Sequence, residues 1–210
     1  LGFELEDETR EGMRLLAPTL RKISAERIQV ELVKTLTSSR PDLLREAWKL
    51  GITKEFLPEF DLAMETTQET VHHMYTVGEH ILHTLLEVRP DRILRLTMLL
   101  HDIGKPYMKT MDADGVAHFK GHPEKSSELA NEILHRLKFD NDTIRKVTKL
   151  VRYHDHRMPV TPAHVRRAVH EIGEDLFLLY LEVRRADVAA QSMYQHKEKV
   201  ADIDGVEKLY

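Results

Sequence analysis

The sequence predicts an all-α protein, and three observations support this. Apolar residues recur at intervals of three and four, capping residues stand in front of these segments, and strands do not alternate with helices. The chain contains no internal repeat and no low-complexity segment. Its 210 residues suffice for one large domain or two small ones. One short hairpin is the only β-structure that we expect.

The N-terminal part is predicted to be a small helical unit that extends to residue 66. Ser24 is the expected N-cap of a helix through Thr37, whose apolar face repeats every four residues. Those apolar residues are Ile28, Leu32 and Leu36. Pro41 suits the first turn of a second helix, which Gly51 ends. No cluster of catalytic residue types is present in this unit.

From residue 67 onward the pattern predicts a larger helical bundle. Its first helix is expected over 70–88, where apolar residues recur at helical intervals, and Pro90 opens the next. The turn signal Asp112-Ala113-Asp114-Gly115 predicts the hairpin. Capping residues and glycines delimit the remaining helices, which are predicted over 121–138, 141–154, 162–172 and 174–195.

The segment Leu99-Leu100-His101-Asp102-Ile103-Gly104-Lys105-Pro106 is the centre of the predicted site. Apolar residues lead to an adjacent His-Asp pair, and Gly-Lys-Pro ends the helix directly afterwards. Burying two polar side chains costs free energy unless something pairs with them, and a metal ion suits an imidazole beside a carboxylate. The alternative is an ordinary helix end, with Gly104 as its cap and His101 as a satisfied core histidine.

Composition narrows the chemistry. The absence of cysteine excludes disulfides, thiolate catalysis and zinc-finger sites, and it fits a reducing compartment such as the cytoplasm. No apolar run is long enough to span a bilayer. Eleven of the 13 histidines fall between His72 and His164. Because neutral imidazole is the commonest nitrogen ligand, this concentration indicates a metal site.

Helical phase selects side chains that could reach the His-Asp pair. His73 and His80 share a face with part of the apolar stripe of the 70–88 helix. His122 stands at a helix start, His154 ends an apolar run, and Asp187 lies between small and apolar neighbours. A carboxylate in such a setting is usually paired. The alternative for each histidine is a place in the core without any ligand.

The order His73, His101-Asp102 and Asp187 resembles the signature of the HD phosphohydrolase superfamily. The resemblance implies that these four residues bind a divalent metal ion inside a helical bundle of the HD type. It also implies that His122 and His154 match the positions where two-metal members add further ligands.

Four other polar residues of this region are expected to be structural or to support the ligands from outside: His80, His83, His118 and Asp155. His72 is expected to face water.

The N-terminal sequence is similar to the neck region of the bacterial tRNA nucleotidyltransferase and poly(A) polymerase family. The similarity lies in Leu1-Gly2-Phe3 with Thr9, followed by Ser24-Ala25-Glu26-Arg27-Ile28-Gln29-Val30-Glu31-Leu32. Three further segments resemble the HD domain that some members of this family carry: His118-Phe119-Lys120-Gly121-His122, Leu137-Lys138-Phe139, and Ala186-Asp187 with Ala190-Gln191. The resemblance implies a helical neck over 1–66, similar to an RNA-binding region, and an HD domain over 67–210.

Three motifs of that family's nucleotidyl-transferring head are missing: Gly-Gly-x-Val-Arg-Asp, Asp-x-Asp and Glu-Asp-x-x-Arg. In the family these motifs lie N-terminal to the Leu-Gly-Phe sequence. We therefore expect the chain to be the neck and HD portion of a longer enzyme. Nucleotidyl transfer would then need a head domain that this chain does not contain.

Imidazole and carboxylate ligands suit one or two hard or borderline divalent ions, and the sequence does not distinguish Mg, Mn, Ni, Fe and Zn. Such an ion activates a bound water near neutral pH and neutralises charge on a phosphoryl oxygen. With Asp102 as a ligand, the predicted reaction is hydrolysis of nucleotide or RNA-end phosphates, of the phosphatase or 2′,3′-cyclic phosphodiesterase type. Lys105 is predicted to offset phosphate charge; the alternative is a solvated lysine at a helix end.

A basic segment extends from Arg136 to Arg167, with nine Lys or Arg against three Asp. On a chain of net charge −4 this segment would attract a polyanion, and the family resemblance favours RNA or tRNA. The alternative is a solvated helix face whose counter-charges come from elsewhere in the fold.

Three hypotheses about function remain open. The chain is a metal-dependent phosphohydrolase attached to a tRNA-modifying enzyme, a non-catalytic tRNA-binding module with a structural metal, or a stand-alone HD phosphatase for a free nucleotide.

Overall fold

The computed structural model describes residues 5–70 and 75–210 and confirms the all-α prediction. The N-terminal part holds four helices in chain order: α1 (Asp7–Leu16), α2 (Ala25–Leu36), α3 (Leu44–Lys49) and α4 (Pro58–Glu65). Short 3₁₀ segments connect them: Ala17–Lys22, Pro41–Leu43 and Thr53–Glu55. Proline opens the second of these segments and also α4, because its fixed φ and missing N–H suit a first helical turn.

The remaining helices within the described ranges form a bundle: α5 (Val77–Glu87), α6 (Arg92–Leu100), α7 (Lys105–Met108), α8 (His122–Arg136), α9 (Asn141–Tyr153), α10 (Pro162–Ile172), α11 (Glu174–Ala189) and α12 (His196–Leu209). Strands β1 (Thr110–Met111) and β2 (Ala117–His118) pair antiparallel as the predicted hairpin. Asp112 shapes the turn, since its side chain accepts hydrogen bonds from the backbone N–H groups of Asp114 and Val116.

The helix predicted over 70–88 begins later than expected. Its first residue is Val77, and the two described residues before it, Tyr75 and Thr76, are not helical. Thr76 is the N-cap, and its hydroxyl accepts a hydrogen bond from the N–H of Glu79 at 3.2 Å. Apolar periodicity continued across this cap, so it could not locate the boundary.

The helix predicted over 174–195 is also corrected. Helix α11 ends at Ala189, and a separate helix α12 follows that the sequence pattern did not predict. Gln195, the residue before α12, adopts a left-handed conformation with φ +51°. Helix α12 packs against α11.

One apolar core extends through both predicted units. Leu36 on α2 and Phe60 on α4 are fully buried in the same cluster as Leu96 on α6 and Val147 on α9. Helix α6 contacts α2, α5, α8, α9 and α11, and every residue from Leu94 to Leu100 is buried. The division between 1–66 and 67–210 stays a prediction, because no gap in the core marks it.

A second apolar cluster joins α9 to the three C-terminal helices and includes the fully buried Leu176 and Phe177 of α11. Tyr180 also belongs to it, and its hydroxyl donates to the carbonyl of His156 at 2.7 Å. Among the described residues, no helix is both long enough and apolar enough to cross a bilayer.

Candidate metal centre

Helix α6 positions the His-Asp pair. Asp91 caps its N-terminus by accepting hydrogen bonds from two backbone N–H groups, at 2.9 and 3.0 Å. The helix is buried along most of its length and ends at Leu100, so the next two residues emerge inside the bundle. His101 is 0% exposed and Asp102 is 1% exposed. The alternative of an ordinary helix end therefore does not account for Asp102, because it leaves this carboxylate buried in the core.

Three imidazole rings are oriented by the same local contact. In each, Nδ1 faces the backbone carbonyl three residues earlier: His101 to Met98 at 2.8 Å, His122 to Phe119 at 2.9 Å, and His154 to Val151 at 2.7 Å. A carbonyl oxygen can only accept, so each Nδ1 carries the proton and donates it. Each ring consequently turns Nε2 into the bundle, which is the orientation that metal-binding histidines use.

The ends of two helices bring His122 and His154 to this point. Gly121 precedes α8 with φ +82°, a left-handed conformation that favours glycine, and His122 is the first residue of the helix. Helix α9 is capped by Asp140, whose side chain accepts from the N–H of Thr143, and His154 follows its last residue. Both histidines thus occupy helix termini, as the sequence predicted.

Three acceptor atoms meet in one half of the cluster. Oδ1 of Asp102 lies 3.3 Å from Nε2 of His122 and 3.4 Å from Nε2 of His154, and these two nitrogens are 3.2 Å apart. In the neutral form with the proton on Nδ1, neither ring has an Nε2–H to donate. A cation would satisfy all three atoms at once.

The other half of the cluster contains His80, His101 and both carboxylates. Nε2 of His101 lies 3.3 Å from Nε2 of His80 and 3.3 Å from Oδ2 of Asp102. Nε2 of His80 is 2.9 Å from Oδ1 of Asp187 and 3.5 Å from Oδ2 of Asp102. Asp102 therefore takes part in two groups of candidate ligands, one with each of its oxygens.

Both carboxylates are held in the charged form. Burial would raise the pKa of Asp102, but the ammonium group of Lys105 and the imidazole of His101 bring that pKa well below its usual value. Burial would likewise raise the pKa of Asp187, but the hydrogen bond and the charge interaction with His80 outweigh burial and bring this pKa well below its usual value. Two buried anions beside imidazole lone pairs match the donor set of a divalent metal.

Asp102 provides the test of whether this donor set fits a metal. Both of its oxygens are buried, and neither accepts a hydrogen bond of good geometry from a described residue, although Nζ of Lys105 lies 2.7 Å from Oδ2. Unsatisfied buried carboxylate oxygens are costly unless a cation coordinates them. The residues present therefore fit one or two divalent ions.

Five of the six predicted metal ligands come together in this cluster: His101, Asp102, His122, His154 and Asp187. The sixth, His73, lies outside the described residues and stays a prediction, as does the expectation that its neighbour His72 faces water. His80 takes a place that the sequence analysis did not give it. The structure buries His80 completely, and the available sequence signal was its place on the apolar face of the predicted 70–88 helix.

The other polar residues have contacts of their own. His83 stacks on Tyr75 with ring centroids 4.3 Å apart, and His118 pairs with Asp112 on the hairpin at 2.8 Å. Asp155 lies 3.7 Å from both Arg157 and Arg184.

A cleft of about 540 Å³ opens onto the cluster. Four candidate ligands line it: Asp102, His122, His154 and Asp187. Its walls also carry cationic and aromatic side chains, which are Lys105, His118, Phe119, Lys120 and Arg157. The cleft therefore offers an anionic ligand both access and opposite charge.

Lys105 differs from the alternative of a solvated lysine. It is only 5% exposed, and its Nζ lies 2.7 Å from Asp102 and donates to Oε1 of Gln68 at 3.0 Å. The ammonium group also lies 5.5 Å from the ring centroid of Phe119. Its role towards a phosphate stays a prediction.

Fold and site together define an all-helical protein with a buried cluster of histidines and aspartates at the base of a cleft. The HD domain family matches residues 70–192, and the chain belongs to that family. Residues 2–64 match a second family, described as "Probable RNA and SrmB-binding site of polymerase A". The resemblance inferred from the sequence is thereby confirmed.

Curated relatives extend the match over most of the chain. An A-adding tRNA nucleotidyltransferase of Deinococcus radiodurans is 36% identical, over 89% of this chain and 46% of the relative. A CC-adding tRNA nucleotidyltransferase of Thermus thermophilus is 35% identical, over 80% and 41%. A bifunctional uridylyltransferase/uridylyl-removing enzyme of Streptomyces coelicolor is 25% identical, over 80% and 21%. The chain thus spans less than half the length of each of these relatives.

Proposed function

We propose that the chain is a metal-dependent phosphohydrolase that uses activated water on nucleotide or RNA-end phosphates. The observation that carries the proposal is the meeting of three acceptor atoms, from Asp102, His122 and His154, within 3.4 Å of one another. Such a group has no stable arrangement without a cation or an added proton. The HD family match supports the same assignment.

The cleft favours a catalytic over a structural ion. Structural metal sites are closed by protein ligands, whereas catalytic sites keep a position open to solvent and substrate. Here the side chain of His122 is 12% exposed, and the cleft reaches the candidate ligands directly. A substrate phosphate can therefore approach the site without any rearrangement of the bundle.

The ligands in this proposal are His80, His101, Asp102, His122, His154 and Asp187. When bound, a divalent ion supplies water activation and neutralises charge on a phosphoryl oxygen. Lys105 balances the charge of Asp102 and offers an ammonium group in the cleft wall. Arg157, which is exposed at the cleft, offers a second positive charge to a phosphate. The uridylyl-removing relative favours a hydrolytic reaction.

Metal analysis and hydrolysis assays test the proposal together. We expect the purified chain to contain at least one equivalent of divalent metal and to hydrolyse 2′,3′-cyclic nucleotides or p-nitrophenyl phosphate. Chelation should abolish turnover, and added metal should restore it. Because a ligand that binds only the folded state stabilises it, metal at a hundredfold excess over its Kd should add about 2.7 kcal/mol to the free energy of unfolding.

The outcomes separate the hypotheses. Bound metal without turnover on any phosphate ester would favour a structural metal in a tRNA-binding module. A chain that binds no divalent ion would remove the basis of the hydrolase proposal.

RNA binding is a second candidate function, supported by the family match of residues 2–64 and by the names of the tRNA-modifying relatives. Five cations of the basic segment pair with carboxylates: Arg136, Arg145, Lys146, Arg152 and Arg157. Two exposed arginines of α10, Arg166 and Arg167, have no ion pair with a described residue. The alternative that counter-charges from elsewhere in the fold neutralise this segment thus holds for part of it. The two arginines of α10 remain available to bind a polyanion.

Replacing Arg166 and Arg167 by Ala is expected to weaken tRNA binding and to reduce its salt dependence. Loss of two phosphate contacts should lower the slope of log K against log salt by about 1.5. Filter binding of tRNA across a salt series measures this. The matched control is Arg145→Ala with Lys146→Ala, which removes two cations already paired with Asp142. Equal slopes in wild type and the α10 variant would contradict this interface, and negligible tRNA binding by the wild type would favour a stand-alone nucleotide phosphatase.

For the whole protein we propose a tRNA nucleotidyltransferase-like or poly(A) polymerase-like enzyme. In it, residues 1–66 form the neck and residues 67–210 the HD domain, and tRNA 3′-end processing is the setting. The relatives from Deinococcus and Thermus support this context. The test is the sequence that precedes Leu1 in the intact gene, which should encode the motifs of a nucleotidyl-transferring head.

A further inference from the structure

We propose that helix α12 belongs to the metal centre, because Lys199 and Gln191 position the carboxylate of Asp187. Nζ of Lys199 donates to Oε1 of Gln191 at 2.8 Å, and Nε2 of Gln191 donates to Oδ2 of Asp187 at 3.0 Å. We call these three residues the α12 relay. The inference rests on the proposed function, since it assigns a role in metal binding to residues that are not ligands.

The relay fixes the orientation of the glutamine amide. A lysine ammonium can only donate, so it holds the carbonyl oxygen of Gln191 on its own side. The amide nitrogen must then face Asp187, where it donates to the carboxylate. Without the lysine, the amide could turn over and place its oxygen against the carboxylate, which would be repulsive. Lys199 therefore acts on Asp187 through Gln191.

The relay engages one oxygen of Asp187 and leaves the other facing the cluster. Oδ2 accepts from Gln191, and Oδ1 lies 2.9 Å from Nε2 of His80. Gln191 follows Asp187 by four residues and lies just beyond the end of α11 at Ala189, where the hydrogen bond joins the two side chains. A ligating carboxylate held at one oxygen presents the other in a fixed direction. Such support typically changes metal affinity by 10- to 100-fold.

The burial of Lys199 distinguishes it from the neighbouring lysine of α12. Lys199 is only 6% exposed, whereas Lys197 on the same helix is exposed. The ammonium group of Lys199 bonds to an amide, and burial lowers its pKa. Burying an amine is costly, and an apolar residue would pack on α11 at lower cost. Helix α12 also lies beyond residue 192, where the HD family match ends.

Thermodynamic linkage adds a second consequence. If docking of α12 orients Asp187 for a metal, then metal binding must favour docking of α12 by the same factor. Backbone amides of α12 should therefore exchange more slowly when metal is present. A lysine that only packs against α11 would give no such dependence.

Calorimetric titration with Mn²⁺ tests the relay. We expect Lys199→Met and Gln191→Met, which keep side-chain length, each to raise the Kd for Mn²⁺ about tenfold. Lys197→Met is the matched control and should leave the Kd unchanged. The double variant Lys199→Met/Gln191→Met should resemble each single variant, because both residues act through one contact. Hydrogen exchange of α12 with and without Mn²⁺ gives the second measurement, and circular dichroism verifies folding.

Each outcome has one meaning. Three results would overturn the relay while the proposed function stands. They are an unchanged Kd for Mn²⁺ in Lys199→Met, additive effects on this Kd in the double variant, and amide exchange rates in α12 that are the same with and without Mn²⁺. A wild-type chain that binds no Mn²⁺ and no other divalent ion would overturn the proposed function and the relay with it.

Discussion

Asp102→Asn is expected to lower metal affinity by more than about 100-fold and to reduce hydrolysis of phosphate esters to background. Asp102 takes part in both ligand groups, one with each oxygen, so a single substitution weakens both. An amide is uncharged, and its nitrogen is a donor that cannot coordinate a cation. Residues outside the ligand shell typically account for 10- to 100-fold in affinity, and a shared ligand must account for more. Metal content by mass spectrometry and turnover of 2′,3′-cyclic nucleotides measure the effect.

The Asn variant keeps the volume of the side chain, so the core around it should stay packed. Circular dichroism and urea denaturation establish that the variant is folded. Asp114→Asn is the matched control, because Asp114 is exposed on the hairpin turn, away from the cluster. Full metal content and turnover in Asp102→Asn would refute the hydrolase proposal.

Gly104→Ala is expected to cost about 3 kcal/mol of stability and to impair metal binding as well. A Cβ at this position would lie 2.5 Å from the backbone nitrogen of Ser126 and 2.9 Å from the backbone carbonyl carbon of Lys125. Helix α8 packs directly against the turn after the His-Asp pair, and the N–H of Gly104 donates to Oγ of Ser126 at 2.9 Å. Because the clash involves backbone atoms, no change of side-chain rotamer relieves it. The turn must move, and Asp102 and Lys105 move with it.

Gly12→Ala provides the control. Gly12 lies within α1, and a Cβ there would meet no atom within 4 Å. Alanine in a helix is favoured over glycine, so this variant should be neutral or more stable by about 0.5–1 kcal/mol. Urea denaturation and metal titration of both variants measure the difference. Equal stability of Gly104→Ala and wild type would show that the close approach of α8 to this turn is wrong.

Local sequence signals predicted most helix boundaries of the bundle. Asp140, Thr161 and Gly173 delimit helices where the pattern placed them, because capping and left-handed turns depend on a few neighbouring residues. The boundary at Thr76 was missed, since apolar residues continue on both sides of the cap. Helix α12 was missed because its few buried residues, such as Ile203 and Val206, give only a weak apolar stripe.

The candidate site was predicted in part. The adjacent pair His101-Asp102 was found from its setting, since two polar residues inside an apolar helix end need a partner. His122 and His154 were predicted from their positions at helix termini and from the family resemblance. His80 was assigned to the periphery, although its Nε2 lies within 3.5 Å of His101, Asp102 and Asp187. The assignment of His73 lies on residues that the structure does not describe.

The sequence by itself determined most of the helices, the hairpin, the family and the His-Asp pair, because each depends on residues close together in the chain or on ordered motifs. Only the tertiary structure decided which side chains share the cluster. His80 and Asp187 are 107 residues apart in sequence and 2.9 Å apart in space, and Lys199, on a helix that was not predicted, bonds to the Gln191 side chain that holds Asp187. Helical phase gives the face of a side chain but not the partner that this face meets. That partner is fixed by packing around α6, which involves the whole bundle.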